Sequence, residues 1–214
     1  MNVLIVGANG QIGKQLVHIL NKESAYSVRA LIRSEDQSDA FKRQGVEPVL
    51  GNLEGTVDEL TEVAKDSDAI VFTAGSGGHT GFDQTLLVDL DGAVKMIEAA
   101  EKAGVQRFIM VSAIQAHNRD NWNEKIKPYF VAKHYADRIL MQSKLTYTII
   151  RPGGLTNEPG TGHVKIAENL ERDFISREDV ARTIAATLQE ERTCNQAFDL
   201  VSGPTPIAEA LKQI

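Results

Sequence analysis

The glycine series Gly7-Ala8-Asn9-Gly10-Gln11-Ile12-Gly13, directly behind Val3-Leu4-Ile5-Val6, restricts this chain more than any other stretch. Four consecutive strand formers feed a glycine turn, and a helical pattern follows through Leu16, Val17, Ile19 and Leu20. Strand, glycine turn and helix in that order are what a dinucleotide-binding loop requires. Gly7 allows the tight turn, Gly10 lets the backbone approach a pyrophosphate, and Gly13 lets the helix pack close to the sheet. The spacing is one residue wider at its front than the usual fingerprint. Asn9, Gln11 and Ile12 fill the loop, and the helix N-terminus turns its unpaired N–H groups and positive dipole end toward phosphates.

The rest of the chain repeats that alternation. Strand-like apolar runs fall at Val3–Val6, Val28–Ile32, Pro48–Leu50, Ala69–Phe72, Phe108–Val111 and Tyr147–Ile150. Helical patterns lie between them near Gln11–Asn21, Asp36–Gln44, Val57–Lys65, Gln84–Ala103 and Tyr129–Ser143. Short continuous apolar runs read as parallel strands buried on both faces. Their alternation with helices predicts an α/β fold with a doubly wound parallel sheet. After Arg151-Pro152 the text becomes rich in glycine, then gives a helix near Arg177–Gln189 and a strand at Ala197–Leu200. The 214 residues predict a single domain, with 151–214 as a small cap on its substrate side.

Composition removes several function classes. A net charge of -6 leaves no excess of Lys or Arg to neutralise nucleic-acid phosphates. No apolar run approaches transmembrane length, and the chain opens on a core strand without a basic leader, so a cytoplasmic protein is expected. The lone Cys194 cannot form an intramolecular disulfide and reads as a structural thiol.

Ligands of doubly wound sheets sit outside the carboxyl ends of the strands. The second strand ends at Arg33-Ser34, where an NAD-selective site offers a carboxylate to the ribose 2′-OH. A guanidinium there suits the 2′-phosphate of NADP instead. Asn52 and Leu53 end the third strand, beside the expected adenine. Thr73-Ala74-Gly75 end the fourth, where small residues let backbone lie along a ribose. The fifth strand ends at Ser112, and Pro128-Tyr129 opens a helix in which Tyr129 and Lys133 lie one turn apart on one face. An ammonium near a phenol lowers its pKa, and such a tyrosine exchanges a proton with a carbonyl or alcohol while a nicotinamide moves a hydride. Ser112 would orient the substrate oxygen, and Lys133 would also hold the nicotinamide ribose. Tyr-x-x-x-Lys alone carries little; its position after a strand-end serine and downstream of a dinucleotide loop carries the reading.

The glycine loop, Ser112, Tyr129/Lys133, Arg151-Pro152-Gly153 and Ser176-Arg177-Glu178-Asp179-Val180-Ala181 together resemble the short-chain dehydrogenase/reductase superfamily. The resemblance spans essentially the whole chain and is greatest to compact atypical members of NAD-dependent epimerase/dehydratase type. It implies a Rossmann-type fold, the Ser, Tyr and Lys roles given above, and Pro152 beside the nicotinamide. Two features depart from the pattern. Asp89 stands where extended members usually carry an Asn that braces the lysine, and the stretch from Ser112 to Tyr129 is long and holds Trp122.

His79, His117 and His134 are scattered singly, without zinc-ligand spacing, so no metal is expected. Asp89 and Asp91 read as bracing the helix rather than holding a cation. Trp122 and Phe82 are candidates for a substrate pocket, with ordinary packing as the alternative. The sequence thus predicts an NADP-dependent oxidoreductase acting on a small carbonyl or quinone-like molecule. A sensor that binds NAD(P) without turnover and a sugar-type epimerase or dehydratase are the other two classes that fit. Substrate identity and oligomeric state are not written in these residues.

Overall fold

The computed structural model describes residues 1–78 and 80–214. Its sheet has nine strands. Seven are parallel: β1 (Asn2–Val6), β2 (Ser27–Ile32), β3 (Glu47–Leu50), β4 (Ala69–Phe72), β5 (Arg107–Val111), β6 (Thr146–Pro152) and β10 (Gln196–Ser202). They run in the order β3-β2-β1-β4-β5-β6-β10. Two further strands extend the β10 edge: β8 (His163–Ala167), antiparallel to β10, and β11 (Thr205–Pro206), antiparallel to β8. Chain order reverses between β1 and β4, the position at which a crevice opens in a doubly wound sheet.

The period-2 alternation of β1 explains both faces of the core. Val3 and Ile5 point to one side, against Leu16, Val17 and Leu20 of α1 (Gln11–Leu20) and Val180, Ala181 and Ile184 of α7 (Arg177–Thr187). Leu4 and Val6 point to the other, where Leu60 of α3 (Val57–Ala64), Met96 of α5 (Ala93–Ala103) and Leu140 of α6 (Lys127–Gln142) close the layer. An apolar run without polar interruption is what two covered faces demand.

The expected strands and helices form, with ends differing by a few residues. The helix expected from Gln84 is interrupted. A short α4 (Phe82–Gln84) passes into a π-helical turn at Thr85–Gly92 before α5 begins. Such wide turns are rare and recur at functional sites.

The segment after Arg151, expected as a cap, contributes more to the sheet than that word implies. β10 joins it beside β6, α7 packs on α1, and α8 (Ile207–Leu211) closes beneath. Only the parallel pair β7 (Gly154–Thr156) and β9 (Phe174–Ser176) forms a separate small sheet, directly after the carboxyl end of β6. Ser176 Oγ accepts the Asp179 N–H to cap α7. The buried Asp179 carboxylate accepts the N–H groups of Thr161 and Gly162, each at 2.8 Å, which fastens the glycine-rich loop to the helix.

Candidate active site

A cleft of ≈ 620 Å³ lies over the carboxyl ends of β1 to β4. The glycine turn forms its floor. Gly7 adopts φ +90°, and a Cβ there would meet the Ala74 nitrogen at 2.6 Å. A Cβ on Gly13 would run into the Gly7 carbonyl, so the first turn of α1 seats on the loop only with glycine at that position. The Gly10 N–H donates to the Gly7 carbonyl at 2.9 Å, and Gly10 as N-cap supplies no side-chain acceptor to the helix. The first α1 N–H groups therefore face the cleft with a positive dipole end and no internal competitor, which fits a dinucleotide diphosphate.

Ten of the expected cofactor residues line this cleft: Gly7, Asn9, Gly10, Gln11, Arg33, Asn52, Leu53, Thr73, Ala74 and Gly75. Arg33 is exposed at the end of β2; its backbone N–H is held by Gln37 Oε1 at 3.1 Å, and no acceptor among the described residues holds its guanidinium. Thr73 is fixed by its own hydroxyl, which donates to the Val6 carbonyl at 3.0 Å. Asn52 orders the adenine-side turn by accepting the Glu54 N–H at 3.0 Å.

Other expected members lie outside the lining. The Ile12 side chain is part of the core, which leaves its backbone N–H as the group able to reach a phosphate. Gly13 is buried under the loop, Ser34 is exposed outside the lining, and Pro152 is buried at the end of β6. Residues that the sequence reading passed over do line it, among them Leu31, Gln84, Val88 and Arg177.

Behind the cleft lies a buried ionic cluster. The π-helical turn drives Asp89 inward until it is 1% exposed. Its Oδ2 accepts the Ser76 N–H at 2.9 Å, and its Oδ1 pairs with Lys133 Nζ at 3.4 Å. Lys133, itself 4% exposed, also donates to the Val111 carbonyl at 3.3 Å, one residue before Ser112. The ammonium stands 5.8 Å from the centroid of the half-buried Tyr129 ring. Lys133 thus stands beside the end of β5, from which Ser112 follows, with the Tyr129 ring next to it, and none of the three lines the cleft.

One turn further along α6, Asp137 Oδ2 pairs with Arg151 Nε at 2.9 Å, both side chains being buried. The Ser112 hydroxyl faces this carboxylate without completing a hydrogen bond, and both Ser112 Oγ and Asp137 Oδ1 are buried without a partner among the described residues.

The acid–base balance differs from the sequence expectation. Burial pushes the Tyr129 phenol upward; Lys133 pulls it down, but Asp89 and Asp137 push it up again, and the net direction is up. The expected lowering by lysine is real as a contribution and is outweighed. Burial pulls the Lys133 ammonium down, yet the Tyr129 phenolate wherever the phenol ionises, the Asp89 and Asp137 charges and the Asp89 hydrogen bond leave it above its ordinary value.

The chain belongs to the NAD(P)H-binding family, whose match covers residues 7–191. A Bacillus subtilis relative named as an uncharacterized sugar epimerase, YhfK, is 63% identical over the whole of both chains. The structure of a candidate NAD-dependent epimerase/dehydratase from Bacillus halodurans superposes with a TM-score of 0.94 at 40% identity, also over both whole chains. The oxidoreductase YlbE of Lactococcus lactis superposes at 0.90 with 34% identity, covering 100% of this chain and 96% of its own. An NAD(P) cofactor goes with the family, and the fold of the glycine cradle fits it.

The remaining candidates take ordinary places. His117 Nε2 meets Asn169 at 2.7 Å, and His134 Nδ1 meets the Ala116 carbonyl at 2.9 Å. The Trp122 indole donates to that same carbonyl at 3.1 Å and stacks on Phe130, while Phe82 is exposed; neither lines the cleft. Asp91 pairs with Lys95 one helical turn away. His79, expected in the loop over the cleft, lies outside the described residues. No helix among the described residues is long and apolar enough to cross a membrane.

Proposed function

We propose that this protein is an NADP-dependent reductase of a small carbonyl or quinone-like molecule, with Tyr129 as the proton donor. The observation that carries the reading is the buried Asp89–Lys133 pair, with the half-buried Tyr129 ring against the ammonium, beside the Val111 carbonyl at the end of the strand that delivers Ser112. When bound, the nicotinamide supplies the hydride. A phenol whose pKa is raised by burial stays protonated through neutral pH, the state an acid needs in the reducing direction. Tyr129 then gives its proton to the substrate oxygen, Ser112 holds that oxygen, and Lys133 stabilises the phenolate left behind. Arg33, exposed and without a competing acceptor, suits the 2′-phosphate.

The test is an NADPH-oxidation screen over aldehydes, ketones and quinones, repeated with Tyr129→Phe. Loss of the general acid lowers kcat/KM by about 10²–10⁴-fold and leaves cofactor affinity intact. Unchanged turnover in Tyr129→Phe removes the residue from the mechanism. The YhfK name favours a second reading, epimerisation of a sugar-type molecule. That reaction returns the hydride it takes, so stoichiometric net oxidation of NADPH excludes it.

A further inference from the structure

We infer that Arg177 is the clamp on the cofactor diphosphate, aimed by Asn157, and so a binding residue for the dinucleotide common to NAD and NADP. The inference rests on the cofactor reading of the cleft and names the group that neutralises its central charge.

Arg177 lines the main cleft together with Gly10 and Gln11, the residues at the N-terminus of α1. It also walls a neighbouring hollow of ≈ 340 Å³ that reaches Gln15, Asn157 and Glu178. The guanidinium therefore stands between β9 and the α1 entrance, where the diphosphate of a dinucleotide sits in this fold. Arg33 and Arg177 are the two Lys or Arg residues of the lining among the described residues. Arg33 follows β2, at the ribose end, which leaves Arg177 as the cation at the phosphate end.

Three local observations argue against a merely structural arginine. Arg177 is the first residue of α7, where a cation opposes the helix dipole and is disfavoured unless it serves something else. Its hydrogen-bond partner is the neutral Asn157 Oδ1, at 2.8 Å, which orients the side chain without cancelling its charge. Glu158 walls the same hollow but forms no ion pair with Arg177 among the described residues, and the two carboxylates that follow Arg177 are committed elsewhere. Glu178 binds Arg182 and the Gly160 N–H, and Asp179 binds the Thr161 and Gly162 N–H groups. A half-buried guanidinium oriented by a neutral partner, with no ion pair among the described residues, suits an anion in the cleft. The β7–β9 pair then sets the two residues side by side: Asn157 follows β7 and Arg177 follows β9.

Calorimetric titration of the full chain with NADP⁺ and with NAD⁺ tests this. Arg177→Ala weakens both dinucleotides by one common factor, about tenfold to a hundredfold for one charge-assisted contact. Arg177→Lys recovers part of that loss. Arg33→Asp, by contrast, weakens NADP⁺ alone. Without ligand, Arg177→Ala melts no lower than the wild type, because an unfavourable dipole contact has been removed. Should Arg177→Ala fail to fold, Asn157→Ala gives a smaller loss equal for the two dinucleotides. Wild-type affinity for both in Arg177→Ala, or a loss confined to NADP⁺, overturns the clamp. Failure of the wild type to bind either dinucleotide overturns the cofactor reading itself, and the clamp with it.

Discussion

Asp89 holds the balance between the two groups that handle the proton. It touches Lys133 directly and raises the pKa of both Lys133 and Tyr129. Replacing it by Asn keeps the shape and the acceptor for the Ser76 N–H while removing the charge. Tyr129 then loses one of the influences holding its pKa up. In the reducing direction, activity falls as the phenol ionises, so the alkaline limb of the kcat/KM profile moves to lower pH in Asp89→Asn. An unmoved limb would show that Asp89 does not act on the proton donor. The sign for stability differs. Lys133 is raised above its ordinary 10.5, so its pairing stabilises the fold below that pH and is lost only as pH climbs through the folded value. Circular dichroism at each pH therefore separates the activity limb, set by Tyr129, from alkaline unfolding. The direction of the Tyr129 shift was beyond the reach of sequence. Spacing put the lysine one turn away, but only packing told how deeply the phenol and two carboxylates were buried around it.

The adenine side of the cleft depends on how α3 begins. Thr56 Oγ1 accepts the Glu59 N–H at 3.2 Å, and Glu59 Oε2 accepts the Thr56 N–H at 2.8 Å, a reciprocal capping box. This box stands directly after the Asn52–Gly55 turn that lines the cleft. Thr56→Ala removes an N-cap acceptor and costs about 1 kcal/mol of folding stability, readable by urea unfolding at pH 7. The backbone bond from Thr56 is the first cause of the lowered Glu59 pKa, followed by the Thr56 hydroxyl. A lowered carboxyl stabilises above its ordinary 4.5 and loses that contribution as pH falls through the folded value, so the wild-type advantage narrows in acid. A difference that stays constant down to pH 3 would deny the box its ionic arm. Elements of this kind were legible where apolar runs or turn chemistry dominate, as in β1, β4 and β5. β7, β8 and β9 were not. They are short, and His163 and Lys165 break the apolar pattern of β8, which pairs antiparallel with both its neighbours. Arg177 left a fainter signal that could have been used, a cation in the first turn of a helix.

Across the whole molecule, the cleft gathers loops from the first four parallel strands and one residue from beyond the sixth. Arg177 opens α7, and α7 packs on α1, the helix that rises from the glycine loop. The cleft thus brings Arg177 beside the glycine loop, although the sheet separates β10 from β1 by three strands. This is why the sequence motif named the glycine-loop part of the cleft lining and passed over Arg177. The glycine loop is contiguous, whereas the far wall is assembled by folding. Binding that engages only the native arrangement stabilises it by about 2.7 kcal/mol at a ligand concentration a hundred times Kd. For a chain of this size each kcal/mol moves the midpoint by about 2–4 °C, so saturating NADP⁺ raises Tm by about 5–10 °C. Differential scanning calorimetry reads this directly, and the rise should be one cooperative shift because the cofactor ties the two halves together. A shift confined to part of a divided transition would mean that the C-terminal strands unfold independently of the glycine loop. No shift at a concentration that saturates binding would mean that the cleft does not hold the dinucleotide in the folded state.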